Sequence, residues 1–379
     1  MSIVVDINAL HTLPPSLINR DDTGAPKTAI FGGSPRQRVS SQSWKRAVRK
    51  LVEDKIDPEL VGVRSKRTPA DIAAKIHELE PSWTEEQIVN GISALYKAAG
   101  IKLQDVKKAK DAESTDNEEN TTQYQETGYL LFLSPHQIER AAKEIIDHDG
   151  EKFSKADAAS ILDTEHSMDI AMFGRMLADA PSYNVDAAVQ VAHAISVHAA
   201  EPEFDYFTAV DDLVEDAEEI GAGMIGTVQM MSSTLYRYAT INMGGLAENL
   251  GNVDAAIEAA GHFVRAFVES MPMGKINTFA NETLPELVYI AIRDTRPVSL
   301  VNAFEEPIEE TTGRRKEAAQ RLAAEEHAVE ETYGFTPLAA FVVALDDLGD
   351  AFADLAEKTT MPQLGDKLEA RLRAAIQEG

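Results

Sequence analysis

The chain has 379 residues, enough to bury a substantial core in one large domain or two, and its 44% hydrophobic and 26% charged residues are those of an ordinary globular protein. A formal net charge of −27 argues against indiscriminate nucleic-acid binding, and the absence of cysteine excludes disulfides and thiolate metal sites and fits a reducing cytoplasm. The N-terminus has no basic region ahead of its apolar run, and no apolar run approaches the length of a membrane span, so neither a signal peptide nor a transmembrane helix is expected.

Ile3, Val5, Ile7 and Ala9 alternate with Val4, Asp6, Asn8 and Leu10, the period of a strand with one face in a core. A basic island follows from Asn19 to Lys50. It holds Arg20, Lys27, Arg36, Arg38, Lys45, Arg46, Arg49 and Lys50 against Asp21 and Asp22, a local charge of +6 that leaves −33 on the remaining residues. Such segregation suggests a surface for a polyanion, although charge alone fits a solvated basic helix face equally well. Gly32-Gly33-Ser34-Pro35 reads as a turn and Arg36–Val39 as a short extended piece.

A helix is expected from Ser40 or Ser41. Trp44, Ala47, Val48, Leu51 and Val52 form its apolar stripe, and Lys45 and Arg49, like Arg46 and Lys50, project together four residues apart. The N-terminus of that helix, Ser40 to Gln42, would suit a phosphate.

From Pro58 to Glu165 the chain reads as helices in an acidic setting, with capping boxes at Thr84–Gln87 and Ser134–Gln137. Between them the polar segment 107–127 is read as a mobile loop. A second strand is expected at His166–Phe173, a helix from Asn184 to Ser196, and a third strand at Ser233–Met243. A helix capped by Asn252 should run to Ser270, followed by a fourth strand at Glu286–Arg293. Three further helices are expected at Arg315–Glu331, Pro337–Glu357 and Pro362–Gln377. Without its insertions this is a β-α-β-(α)-β-α-β order, an α+β fold of the RNA-recognition-motif or ferredoxin-like kind.

Catalytic motifs are sparse. His193 and His198 lie five apart with no H-E-x-x-H arrangement, no G-x-S-x-G elbow occurs, and Gly274-Lys275 is not a P-loop because Ile276 follows the lysine. No catalytic residue, metal or cofactor is assigned.

The run Ile18-Asn19-Arg20-Asp21-Asp22, Lys27, Ala29–Gly33, Arg36, Arg38 and Ser40–Lys50 resembles the N-terminal signature of the CasC-type backbone subunit of the type I-E CRISPR surveillance complex, Cascade. Met168–Met176, Asp205–Leu213 with Ile225–Thr227, and Leu235–Asn242 extend the likeness over most of the chain.

The resemblance implies a right-hand architecture. A palm would comprise 1–57, 166–200 and 233–379, helical fingers 58–165 and a thumb hairpin 201–232. It further implies a non-catalytic subunit that polymerises head to tail along a guide RNA. Its other partners would be the target DNA read by that guide, the remaining Cascade subunits, and a recruited helicase–nuclease. RNA contacts would fall on Arg20, Lys27, Ser40, Gln42, Lys45, Arg46 and Arg49, with Met176 against bases. Phe207, Thr208 and Ile225 would sit near a displaced base, with Lys275 at a further basic position.

Two rivals remain: a metal-dependent ribonuclease using Asp21 or Asp22, as in type III backbone subunits, and a stand-alone RNA chaperone. Against the first, Asp22 is expected to fix the loop, by pairing with Arg20 or capping backbone N–H groups.

Overall fold

The computed structural model describes residues 3–106, 124–209 and 224–378. Most of the polar loop read at 107–127, and the tip of the expected thumb, lie outside the described residues. The chain divides into two compact units, one of residues 1–51, 189–243 and 260–379, the other of 52–188 and 244–259.

The first unit is built on a sheet whose strands are β1 (Val4–Ser16), β2 (Thr28–Phe31), β3 (Ser34–Val39), β4 (Val189–Val191), β5 (Ala194–Ser196), β6 (Glu203–Ala209), β7 (Met224–Asn242), β8 (Leu287–Arg293), β9 (Ala339–Ala344) and β10 (Glu357–Lys358). Their order is β10-β9-β8-β1-β7-β5-β3-β2, with β4 and β6 also paired to β7. Every pairing is antiparallel except β9 with β10. The helices α1 (Ser41–Lys55), α2 (Val253–Glu269), α3 (Arg314–Tyr333) and α4 (Met361–Glu378) complete the elements used below. The fold is α+β, as expected.

Strand β1 lies at the centre of the sheet and is buried on both faces from Val4 to Leu10. On one face Leu235, Arg237, Ala239 and Ile241 of β7 register with His11, Ala9, Ile7 and Val5 of β1. Trp44 of α1 and Phe267 of α2 meet this face at Arg237. On the other face Leu10, Tyr236, Leu287, Tyr289 and Ala291 pack with Ala318, Ala319 and Leu322 of α3. That face also holds a fully buried ionic chain. Arg293 Nε donates to Asp6 Oδ2 at 3.0 Å, and its Nη2 donates to both carboxylate oxygens of Glu326 at 2.6 and 2.8 Å. Around β1 both faces are thus occupied by protein, and these central strands offer no base-stacking platform.

The second unit has a separate helical core. Ile72, Ile76, Ile88, Ile92, Leu95, Ala141, Ala142, Ile145 and Ile161 are buried together. The two capping boxes read from the sequence are formed at Thr84/Gln87 and Ser134/Gln137, and a third occurs at Ser154/Asp157, where Asp replaces the usual Glu or Gln.

Three sequence expectations are corrected. Met168–Phe173 is a short helix, not a strand. The period-two alternation misled because Asp169 is itself buried: its Oδ1 accepts from Ser167 Oγ, from the N–H of Ile170 and from the N–H of Gly62. The expected helix at Asn184–Ser196 is instead the strand pair β4 and β5, where Val189, Val191 and Ile195 favour extended backbone. The Asn184 side chain accepts from the N–H of Leu177 and caps no helix. Finally, Pro337–Glu357 holds β9, a 3₁₀ turn at Leu348–Phe352 and the start of β10. The β-branched Val342-Val343 pair after Phe341 favours extended backbone, and Phe341 and Val342 are buried in the sheet.

Candidate nucleic-acid interface

The basic island folds around Asn19. The Asn19 carbonyl accepts from the Lys27 N–H at 3.1 Å, closing the loop between them, and its Oδ1 accepts from the Ser40 N–H at 2.9 Å. One side chain therefore joins the loop to the start of α1, where the Ser40 carbonyl accepts from the Trp44 N–H. Within the loop Asp21 Oδ1 accepts from Thr23 N–H, Thr23 Oγ–H and Ala25 N–H. Those bonds, the Thr23 hydroxyl foremost, hold the Asp21 carboxyl below the usual carboxylate range. The loop-fixing role expected of Asp22 belongs to Asp21.

The result is an open groove of about 680 Å³ lined by Asn19, Arg20, Asp22, Ser43 and Arg46, with Met273 and Gly274 on its far wall. Gly274 allows that wall to close: a β-carbon there would lie 2.4 Å from the Ile18 carbonyl oxygen. Lys275, the next residue, is exposed and at φ +53°. Arg20, Gln42 and Arg46 are exposed. Lys45 is half-buried, and desolvation pushes its ammonium pKa down. Lys45, Arg20 and Arg46 have no ion-pair partner among the described residues, and a half-buried cation such as Lys45 gains most from an anionic ligand. Arg49 is half-buried one turn further along α1.

Not every basic residue of the island is available. Arg36 is fully buried and donates to the carbonyls of Phe31, Ser196, Phe304 and Glu305. Its charge is a structural tie between the β2–β3 hairpin and the 304–305 turn. In the turn between β2 and β3, Gly32 at φ +55° leaves no room for a β-carbon beside the Glu305 carbonyl. Arg38 is held by Thr28 O and by the His193 ring.

Beneath α1 lies an arrangement that the sequence reading missed. The buried Arg237 guanidinium stacks on Trp44, 3.7 Å from its ring centroid, and on Phe267 at 4.4 Å. Its Nη2 donates to the Phe267 carbonyl, and its Nη1 lies 3.0 Å from His11 Nδ1. Since arginine only donates, Nδ1 accepts, and the proton of the neutral ring sits on Nε2, which donates to the Thr283 carbonyl. Burial, with Arg237 adding to it, lowers His11 to about 3. The available signal was a lone arginine on the inward-facing side of a strand, between Leu235 and Ala239.

The expected base-contacting residues are dispersed. Phe207 and Thr208 are successive on β6 and face opposite ways. Thr208 registers with Ile225, while the Phe207 ring lies over its own partner, Gly226, where a β-carbon would fall 2.3 Å from Cζ. Phe204 and Tyr206, on the Thr208 face, are far more exposed than Phe207. Met176 belongs to the second unit and is 82% exposed, immediately after Arg175, which is buried against carbonyls and Asp163.

Residues 5–367 match the model of the family described as CT1975-like protein, and the chain belongs to that family. It is similar in structure to a chain of a "CRISPR RNA-guided surveillance complex, pre-nicking", with 35% identity, a TM-score of 0.82, and coverage of 98% of this chain and 100% of that one. A chain of a "CRISPR RNA-guided surveillance complex" shows 30% identity and a TM-score of 0.72 over 97% of this chain and 99% of that one. A search of curated proteins returns no match.

Proposed function

We propose that this chain is the guide-RNA-binding backbone subunit of a CRISPR surveillance complex of the Cascade kind, of type I-E. The observation that carries this reading is the likeness to surveillance-complex chains along essentially the whole length, at up to 35% identity. The groove supports it independently: unpartnered cations from a loop and a helix, in a protein otherwise strongly acidic, suit the phosphates of one strand. Such contacts carry no sequence information, as a subunit serving variable guides requires. Target DNA would be read by pairing with the guide.

On this reading the sheet order β8-β1-β7-β5 is that of a split βαβ palm, the second unit supplies the fingers, and the β6–β7 hairpin forms the base of the thumb. Copies would add head to tail in an open heterologous array whose length the RNA sets. Other Cascade subunits and a separate helicase–nuclease would complete the machinery. No catalytic role is assigned to this subunit; Asp21 Oδ1 is committed to its turn.

The test is to purify the full chain with guide RNAs of three lengths and measure particle mass. Mass rising in whole-subunit steps with RNA length supports the proposal; a fixed mass, or no retained RNA, contradicts it.

A further inference from the structure

The groove that presents Arg20 and Arg46 also presents a carboxylate, and its chemistry is unexplained by phosphate binding. Phosphodiester oxygens only accept hydrogen bonds, so a carboxylate beside them is repelled and lowers affinity. Asp21 is explained by its turn. Asp22 is not: it lines the groove, is exposed, and has no hydrogen bond or ion pair with any described residue, the nearby arginines included.

In the sugar-phosphate backbone of a nucleic acid the one hydroxyl donor along the strand is the ribose 2′-OH, which DNA lacks. We propose that Asp22 accepts a hydrogen bond from a ribose 2′-hydroxyl of the bound strand and so makes the groove selective for RNA over DNA. This deepens the RNA-binding reading and rests on it. The discrimination has two parts. Ribose satisfies the carboxylate, whereas deoxyribose leaves a desolvated, unpaired charge facing phosphates. A cationic groove without such an acceptor would hold either strand, and a complex that handles both RNA and DNA needs its guide site to distinguish them.

The experiment uses the full chain and one sequence of single-stranded oligonucleotide made with ribose, 2′-deoxyribose and 2′-fluororibose sugars, with affinity read by fluorescence anisotropy in EDTA. The fluoro strand keeps the ribose pucker but cannot donate. Wild type should prefer ribose over both by about tenfold, the size of one charge-assisted hydrogen bond. Asp22→Ala should bring the ratio near one, weakening ribose binding while strengthening the other two. Asp22→Asn, which keeps an oxygen acceptor, should retain most of the preference. Equal strengthening of all three strands in Asp22→Ala would mean plain repulsion and overturn the proposal. So would an unchanged ratio, or a wild-type preference that appears only with added magnesium, which would assign Asp22 to a bridging cation. Wild type that binds none of the strands overturns the RNA-binding reading itself, an outcome distinct from an unchanged ratio.

Discussion

The Arg237 guanidinium lies 3.7 Å above the Trp44 ring, and this stack is the joint between the central sheet and the helix bearing Lys45 and Arg46. Among the described residues no carboxylate pairs with the buried charge; desolvation draws its pKa down to about 9. A cation held between two aromatic faces away from water gains about 2 kcal/mol or more from the rings. Arg237→Ala removes that gain, opens a cavity and orphans the Phe267 carbonyl, for an expected loss of about 3 kcal/mol. Arg237→Lys should recover little of it, since an ammonium cannot fill a two-faced planar slot. Trp44→Phe, which keeps a π face, should cost less than Trp44→Leu. Denaturant midpoints of the four variants check the ordering.

The ionic chain on the opposite face makes a contrasting prediction. Arg293 bridges Asp6 and Glu326 with all three side chains fully buried. Arg293→Met strands two carboxylates and should cost about 3–5 kcal/mol at pH 7. Because protonation relieves stranded carboxylates, the deficit should shrink as pH falls toward 5. A deficit independent of pH would mean that lost packing, not charge, is responsible.

Three histidines set an acid limit on stability. Burial lowers His11 to about 3, and His166 and His198 to about 4, whereas unfolded histidine titrates near 6.5. Below that unfolded value the unfolded chain binds protons that the folded chain refuses. Stability is therefore full above about pH 6.5 and falls as pH drops toward 4, by about 1.4 kcal/mol per pH unit for each histidine. Calorimetry at pH 5 should show net proton uptake on unfolding from these groups, and His11→Gln should reduce it by close to one proton.

Much of this was legible in advance. The stripe Trp44, Val48 and Val52 is buried as read, Asn252 caps α2 through bonds to the N–H groups of Asp254 and Ala255, and β8 and α3 fall where their periods put them. What the sequence hid were long-range partners. Asp169 looked like the polar side of a strand until Gly62, more than a hundred residues away, supplied its donor. Arg36 counted toward a binding surface until four distant or local carbonyls claimed it. Charge can be counted locally; whether it is free depends on tertiary contacts.

The hairpin prediction follows from the Phe207–Gly226 register pair. Phe207 is 42% exposed, so Phe207→Ala should cost no more than about 1 kcal/mol of global stability. If this hairpin lies across RNA in the assembled particle, the variant should still change the periodic pattern of base reactivity to chemical probes. Loss of the particle's fold, or an unaltered pattern, would remove Phe207 from the contact.

The decisive measurement is the salt dependence of guide-RNA affinity for the Arg20→Ala/Arg46→Ala double variant beside wild type, with two unrelated spacer sequences. Both side chains line the groove, and neither has an ion-pair partner among the described residues, so their loss should leave the fold intact. If the groove holds phosphates, the slope of log K against log salt should shrink by about 0.7 for each lost contact, equally for both spacers. A slope indistinguishable from wild type would show that the RNA lies elsewhere and contradict the account.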